Sequence, residues 1–232
     1  NRLTHQVSVL QREPEIGLVS GLVQYLGPEE NEGFIRYVDW LNTIRSSEAL
    51  SLNRFVEFPL ANPSMMLRKS LFDQYGYYEE GPFPEDYEYF LRLQSHQVNM
   101  IKVPEYVLKW RDSSQRLTRT DSRYSTESFY QIKSKYLANW SSVHNPFHPV
   151  VWIWGAGRVS RKRSALLEKE GIKIEQYIDL ESRDNVMAYT DLPPKGKAFI
   201  LSYVANRGAR DEIRNYLDEK GYQEGFDFIL AS

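Results

Sequence analysis

The chain has 232 residues, 41% of them hydrophobic and 26% charged, which suffices for one large core or two modest ones. A formal charge of -2 leaves no electrostatic footprint for nucleic acid and no basic patch for a membrane surface. With no cysteine there are no disulfides, thiolate nucleophiles or cysteine-rich zinc sites, and no apolar stretch is long enough to span a bilayer, so a cytoplasmic setting is expected.

Residues 2 to 10 have helical spacing, with Leu3, Val7 and Leu10 on one face, and Pro14 closes that helix. The run from 16 to 25 mixes β-branched and apolar residues between turn signals and predicts a buried strand. A helix is expected across 34 to 42, and a short one from a Ser47 cap through Leu52. Asn62-Pro63-Ser64 reads as a turn into a strand, and 69 to 75 as a short helix ended by Gly76. A helix over 87 to 97 follows Pro84-Glu85-Asp86, then short strands at 100 to 103 and 106 to 110. The stripe Phe129, Ile132, Tyr136 and Leu137 marks a long helix over 125 to 140.

Two prolines, Pro146 and Pro149, place a boundary that gives domains 1 to 145 and 146 to 232. Beyond it the pattern alternates: strand 150 to 154, helix 158 to 169, strands 174 to 179 and 198 to 203, helix 208 to 220, strand 226 to 230. Alternation of this kind predicts a small Rossmann-like parallel sheet covered on both faces, within an α/β chain.

Glu85 and Asp86 follow a proline at a helix start, where free N–H groups and the dipole favour ionised carboxylates. That suits a general base, and it equally suits an ordinary helix cap. Arg111, Arg116 and Arg119 form a cluster suited to fork-like binding of a diphosphate or carboxylate, or a solvated loop. Trp110 could stack on a sugar face or belong to the core. His96 and His148 are isolated, and no metal ligand is assigned.

The order of these pieces resembles the family 2 glycosyltransferases of GT-A type. Asn1-Arg2-Leu3, Gln6-Val7 and Pro14-Glu15-Ile16-Gly17-Leu18-Val19 look like the segment after that family's metal-binding Asp-X-Asp. The stretch from Ala61 to Lys69, with Phe72 and Tyr75-Gly76-Tyr77, resembles its acceptor side, and Pro84-Glu85-Asp86-Tyr87 its Glu-Asp motif. Val107-Leu108-Lys109-Trp110-Arg111 and Arg116-Leu117-Thr118 resemble its closing strand and loop. Trp152-Ile153-Trp154-Gly155-Ala156-Gly157-Arg158, Tyr177-Ile178-Asp179 and the ending Glu224-Gly225-Phe226-Asp227-Phe228 resemble the β1,3-N-acetylglucosaminyltransferase-like protein 1 branch.

That resemblance implies an inverting transfer from a nucleotide-sugar donor, a UDP-sugar for preference, to a carbohydrate hydroxyl. It makes Asp86 the base and Glu85 its positioning neighbour, and puts Asn62, Ser64, Trp110 and Arg111 at the donor and acceptor pockets. No Asp-X-Asp occurs in the chain. The donor-binding strands, and the ligands of the Mn or Mg ion that the complete enzyme would use, are therefore expected upstream of Asn1. The chain alone is then expected to carry no cofactor and to be inactive. The strand at 16 to 25 should have lost a neighbour, leaving an edge that associates with a second copy.

Gly155-Ala156-Gly157 after a strand, with Asp179 ending the next one, also fits a dinucleotide fingerprint whose third glycine is Ser160. This keeps two alternatives open: an NAD(P)-binding oxidoreductase, for which 53 residues after Asp179 leave little room for a substrate domain, or a non-catalytic nucleotide-binding module.

Overall fold

The computed structural model describes residues 1–113 and 115–232. The chain forms two α/β units, Asn1–Phe129 and Tyr130–Ser232. The long helix α7 (Thr126–His144), expected to close the first region, lies mostly in the second unit.

The first unit contains α1 (Arg2–Arg12), β1 (Ile16–Leu26), α2 (Glu32–Thr43), α3 (Ser47–Leu52), β2 (Met66–Leu67), α4 (Ser70–Tyr75), α5 (Glu85–Ser95), β3 (Asn99–Arg111) and α6 (Leu117–Thr120). Three strands form a mixed sheet in the order β2-β1-β3, with β1 antiparallel to β2 and parallel to β3. Its central strand is buried from Ile16 to Val23, as a continuous apolar run requires. One core cluster joins Val9, Ile16, Val19, Val103 and Val107, and another Val23, Val38, Leu41 and Ala61.

Several local expectations change. Ser46, not Ser47, caps α3 by accepting the Ala49 N–H at 3.1 Å. The two short strands are one, β3, whose register to β1 shifts between Gly21 and Leu22, where Pro104 and Glu105 add residues to the β3 side. A proline is tolerated at such a bulge because no ladder bond is asked of it. At that point a Cβ on Gly21 would lie 2.6 Å from Val107 Cγ1, so the strands approach this closely only over glycine.

Instead of exposing apolar side chains along an edge, β1 is buried from Ile16 to Val23, and side-chain amides bond its backbone at two points on the β2 side. Fully buried Gln6 donates Nε2 to the carbonyls of Val19 (2.9 Å) and Ser64 (2.8 Å). Asn42 accepts the Val23 N–H at 2.9 Å and donates to the Val23 carbonyl at 2.9 Å, taking the place of a strand neighbour.

The second unit holds most of α7, then β4 (Val150–Trp154), α8 (Arg158–Lys169), β5 (Lys173–Asp179), β6 (Val186–Ala188), β7 (Ile200–Ser202), α9 (Arg207–Glu219) and β8 (Phe228–Leu230). Its five strands are all parallel, in the order β6-β5-β4-β7-β8. With β4 as the first strand this is the 3-2-1-4-5 arrangement of a Rossmann-like sheet, whose order reverses between β4 and β7. The short strand β6 was not foreseen. Val151, Ile153, Ile178, Leu201 and Ile229, all essentially inaccessible, line its core.

Candidate active site

Helix α5 starts at Glu85 with Pro84 as its N-cap, two residues earlier than the sequence suggested, so Glu85 and Asp86 both stand in its first turn. Asp86 Oδ1 accepts the Tyr87 N–H at 2.8 Å. Contrary to the expectation of a strongly ionised carboxylate, burial pushes the Asp86 carboxyl up to about 6, and the negative Glu85 beside it adds to the rise. Backbone N–H bonds pull the other way without offsetting it, because losing water costs a carboxylate more than the first turn returns.

Glu85 is held by residues the sequence reading did not find. Its Oε1 accepts the Tyr124 hydroxyl at 2.6 Å, while Oε2 is buried without a hydrogen bond, 3.9 Å from Arg123 Nη1. Burial and the bond to Glu85 raise the Tyr124 hydroxyl above the usual phenol range. Arg123 is itself engaged by Asp121 at 2.7 Å. Tyr124 lies 39 residues from Glu85, and no local spacing rule links positions so far apart.

Asn62 joins the same neighbourhood through Tyr78, whose hydroxyl donates to Asn62 Oδ1 at 3.3 Å. Burial, and then the charges of Asp86, Tyr89 and Glu85, raise the Tyr78 hydroxyl to about 12. Asp86 and Tyr89 are three residues apart on α5 and share a face, and the Tyr78 ring packs on Tyr89 with centroids 4.8 Å apart.

Ser64 does not line a pocket. It is fully buried, with its hydroxyl 2.6 Å from that of Ser20 and donating to the Ala61 carbonyl at 2.6 Å. Trp110 stands in a separate aromatic cluster, edge-on to Phe34 at 5.0 Å and Tyr37 at 6.3 Å. The Arg116 guanidinium lies 4.3 Å from the Phe34 centroid and 4.6 Å from that of Trp110. Asp112, whose side chain is only 1% exposed, binds Arg116 (3.4 Å), Arg119 (2.8 Å) and Asn31 (2.7 Å). Of the two alternatives for this cluster, Arg116 and Arg119 take the structural one and anchor the loop, while Arg111 is exposed. Among the described residues no hydrogen bond or ring contact connects Trp110 or Arg111 to Glu85 or Asp86.

In the second unit Gly155 lies at the strand-to-helix turn with φ +114, and its N–H donates to Ile178 O at 2.8 Å. Gly157 caps α8, with open space where a Cβ would be. Asp179 ends the neighbouring strand. Its carboxylate is spoken for: Oδ2 accepts the Ala156 N–H (3.2 Å) and Arg183 (2.9 Å), and Oδ1 the Leu180 N–H (2.9 Å). Ser160, at the third-glycine position, donates to the Tyr203 carbonyl at 3.1 Å, tying α8 to the end of β7.

Among the described residues no group of three His, Asp or Glu side chains could hold a metal ion, and no helix is long and apolar enough to cross a membrane. Fold and site together define an α/β protein of two units, one with a mixed sheet and a carboxylate pair in the first turn of α5, the other with a Rossmann-like parallel sheet. No protein family, curated protein or solved structure matches the chain.

Proposed function

We propose that the first unit supplies the general base of an inverting glycosyl transfer from a nucleotide-sugar, a UDP-sugar for preference, to a carbohydrate hydroxyl. The observation that carries this reading is Asp86 itself. One of its oxygens is fixed by a backbone N–H, and its carboxyl lies near 6, so it is largely ionised at neutral pH yet basic enough to take a proton. Asp86 removes the proton of the acceptor hydroxyl as that oxygen attacks the anomeric carbon. The bond from that carbon to the diphosphate breaks, and the nucleotide leaves with the electron pair. Glu85, anchored by Tyr124, holds negative charge beside Asp86 and so keeps its basicity up. Asn62 and Tyr78 supply hydrogen-bonding groups near the acceptor.

The resemblance to GT-A glycosyltransferases supports the donor class and extends to a divalent ion. The described residues do not fit such an ion, and no step here is routed through one. In the full-length protein, Asp86→Asn keeps a helix-compatible side chain and removes the proton acceptor, so UDP release from a UDP-sugar with acceptor should fall at least about a hundredfold. Near-normal turnover in that variant removes Asp86 from the mechanism.

A second reading, nucleotide binding by the second unit, draws on its strand order and the Gly155 turn. The engagement of Asp179 by its own turn and by Arg183 argues against a ribose there. Mass spectrometry of denatured protein separates the readings: a nicotinamide cofactor favours the second, a UDP species the first, and no nucleotide a non-catalytic module.

A further inference from the structure

Along β4 alternate residues share one face of the sheet, so Val150, Trp152 and Trp154 lie on the same side. Trp154 meets Tyr216 of α9 and Tyr189, with ring centroids 5.9 and 6.0 Å away, and is buried. Val150 and Trp152, nearer the start of the strand, stay half-buried. There Phe147, Val150, Trp152 and Phe199, with Glu175 and Lys197, line a cavity of about 220 Å³. It lies where β4 and β7 begin, at the opposite end of β4 from the Gly155 turn. Sheets of this strand order take nucleotides at the other end, outside the carboxyl ends of their strands.

The aromatic walls are held in place by their own hydrogen bonds. Trp152 Nε1 donates to Glu175 Oε2 at 2.8 Å, and the Trp152 backbone N–H donates to the Phe199 carbonyl at 2.9 Å. Phe147 belongs to a turn tied by buried Asn145, whose Oδ1 accepts the Phe147 N–H (2.8 Å) and whose Nδ2 donates to the Val150 carbonyl (2.9 Å). Walls fixed in this way lose little freedom when a ligand lies on them.

The two charged residues of the lining have opposite signs, and among the described residues they form no ion pair with each other or with any other group. The indole engages one oxygen of Glu175 and leaves Oε1. Lys197 is exposed, and its flexible stem gives the ammonium reach. Size then separates the ligand classes. Sites for drug-sized molecules span roughly 300–1,000 Å³. A cavity of about 220 Å³ is small for a nucleotide or a disaccharide and suits one smaller molecule. An aromatic hollow with one anion and one cation in its lining matches a zwitterion with an apolar body.

We propose that this cavity binds a single free amino acid with an apolar or aromatic side chain. The side chain lies against Trp152 and Phe147, the ammonium meets Glu175 Oε1, and the carboxylate meets Lys197 Nζ. The site makes no use of Asp86 and is independent of the glycosyl-transfer reading.

Calorimetric titration of the full chain with phenylalanine, with its N-acetyl and amide forms, each lacking one of the two charges, and with UDP tests this. The wild type should bind phenylalanine more tightly than either derivative. Glu175→Gln keeps an acceptor for the Trp152 indole and removes the negative charge, while Lys197→Ala removes the positive one. Both residues are exposed, so both variants should fold, and unchanged circular dichroism checks this. Glu175→Gln should weaken phenylalanine binding about three- to fivefold, the worth of an exposed ion pair, and erase its advantage over the N-acetyl form alone. Lys197→Ala should do the same for the amide form. No binding of phenylalanine by the wild type at millimolar concentration, equal affinity for all three compounds, or unchanged affinity in both variants overturns the proposal. Displacement of phenylalanine by UDP overturns it too, since the cavity would then belong to a nucleotide.

Discussion

Tyr124 and Glu85, 39 residues apart in the first unit, meet in a 2.6 Å hydrogen bond, and that bond fixes the carboxylate next to the proposed base. Tyr124→Phe leaves the Glu85 carboxylate with both oxygens unsatisfied in a partly buried place. The loss should cost about 1–3 kcal/mol of stability to urea. Glu85, no longer tethered by that hydroxyl, is free to turn away from Asp86, which weakens the repulsion that helps raise the Asp86 carboxyl. The acidic limb of any Asp86-dependent rate should therefore move to lower pH, and an unmoved limb would uncouple the two acids.

Asp86 should trade stability for basicity. Its carboxyl stands at about 6 in the folded chain against about 3.9 for a free aspartate, so the folded state binds the proton more tightly. This contribution favours folding at low pH and is lost as pH rises from about 4 through 6. Asp86→Asn should then be more stable than the wild type at pH 8, by at most about 2–3 kcal/mol, and near parity at pH 4. Urea melts at the two pH values read this directly. Equal offsets at both would mean that burial does not strain this carboxylate.

Lys102 carries the opposite sign. It is 5% exposed, donates Nζ to the Leu41 carbonyl in the last turn of α2, and is pushed down to about 7 by burial and then by Arg45. The unfolded chain binds that proton up to about 10.4, so stability should rise between pH 7 and 10 as the penalty for the buried charge disappears. Lys102→Met, which fills the space without charge, should compare better with the wild type at pH 6 than at pH 9, by at least about 1 kcal/mol. A pH-independent difference would show that the ammonium is well solvated by its partners.

Gly155 should not tolerate a side chain. At φ +114 an alanine is strained, and its Cβ would sit 2.8 Å from Ser160 Oγ. Gly155→Ala should destabilise the second unit by about 1–3 kcal/mol. Adding Ser160→Gly should recover only the steric part. Full recovery in the double variant would mean that the dihedral angle carries no cost.

Much of the architecture was legible in the sequence because its patterns are local. The apolar run from Ile16 became the central strand, and β4 and α8 fall at the residues where the alternation placed them. Glu85 and Asp86 were visible because a proline before paired acids is a local helix start. Tyr124, Tyr78 and Arg123 were not, since each reaches the acids through tertiary packing. Ser64 misled for the same reason: an Asn-Pro-Ser turn looks the same on paper whether its hydroxyl faces a ligand or, as here, a buried serine on β1. The two alternatives for Arg116 and Arg119 stayed open in the sequence because Asp112, which pairs with both, gives no sign there of being buried.

Asn42 gives the first unit a border made of one side chain. Its amide already gives Val23 both of the hydrogen bonds that an incoming strand would offer. An intruding segment would have to evict it, exchanging bonds one for one and gaining nothing from the swap itself. The sheet thus ends there by saturation rather than by charge or proline, and an Asn42→Leu chain, identical along the rest of β1, should be the one that recruits strands from its neighbours in solution.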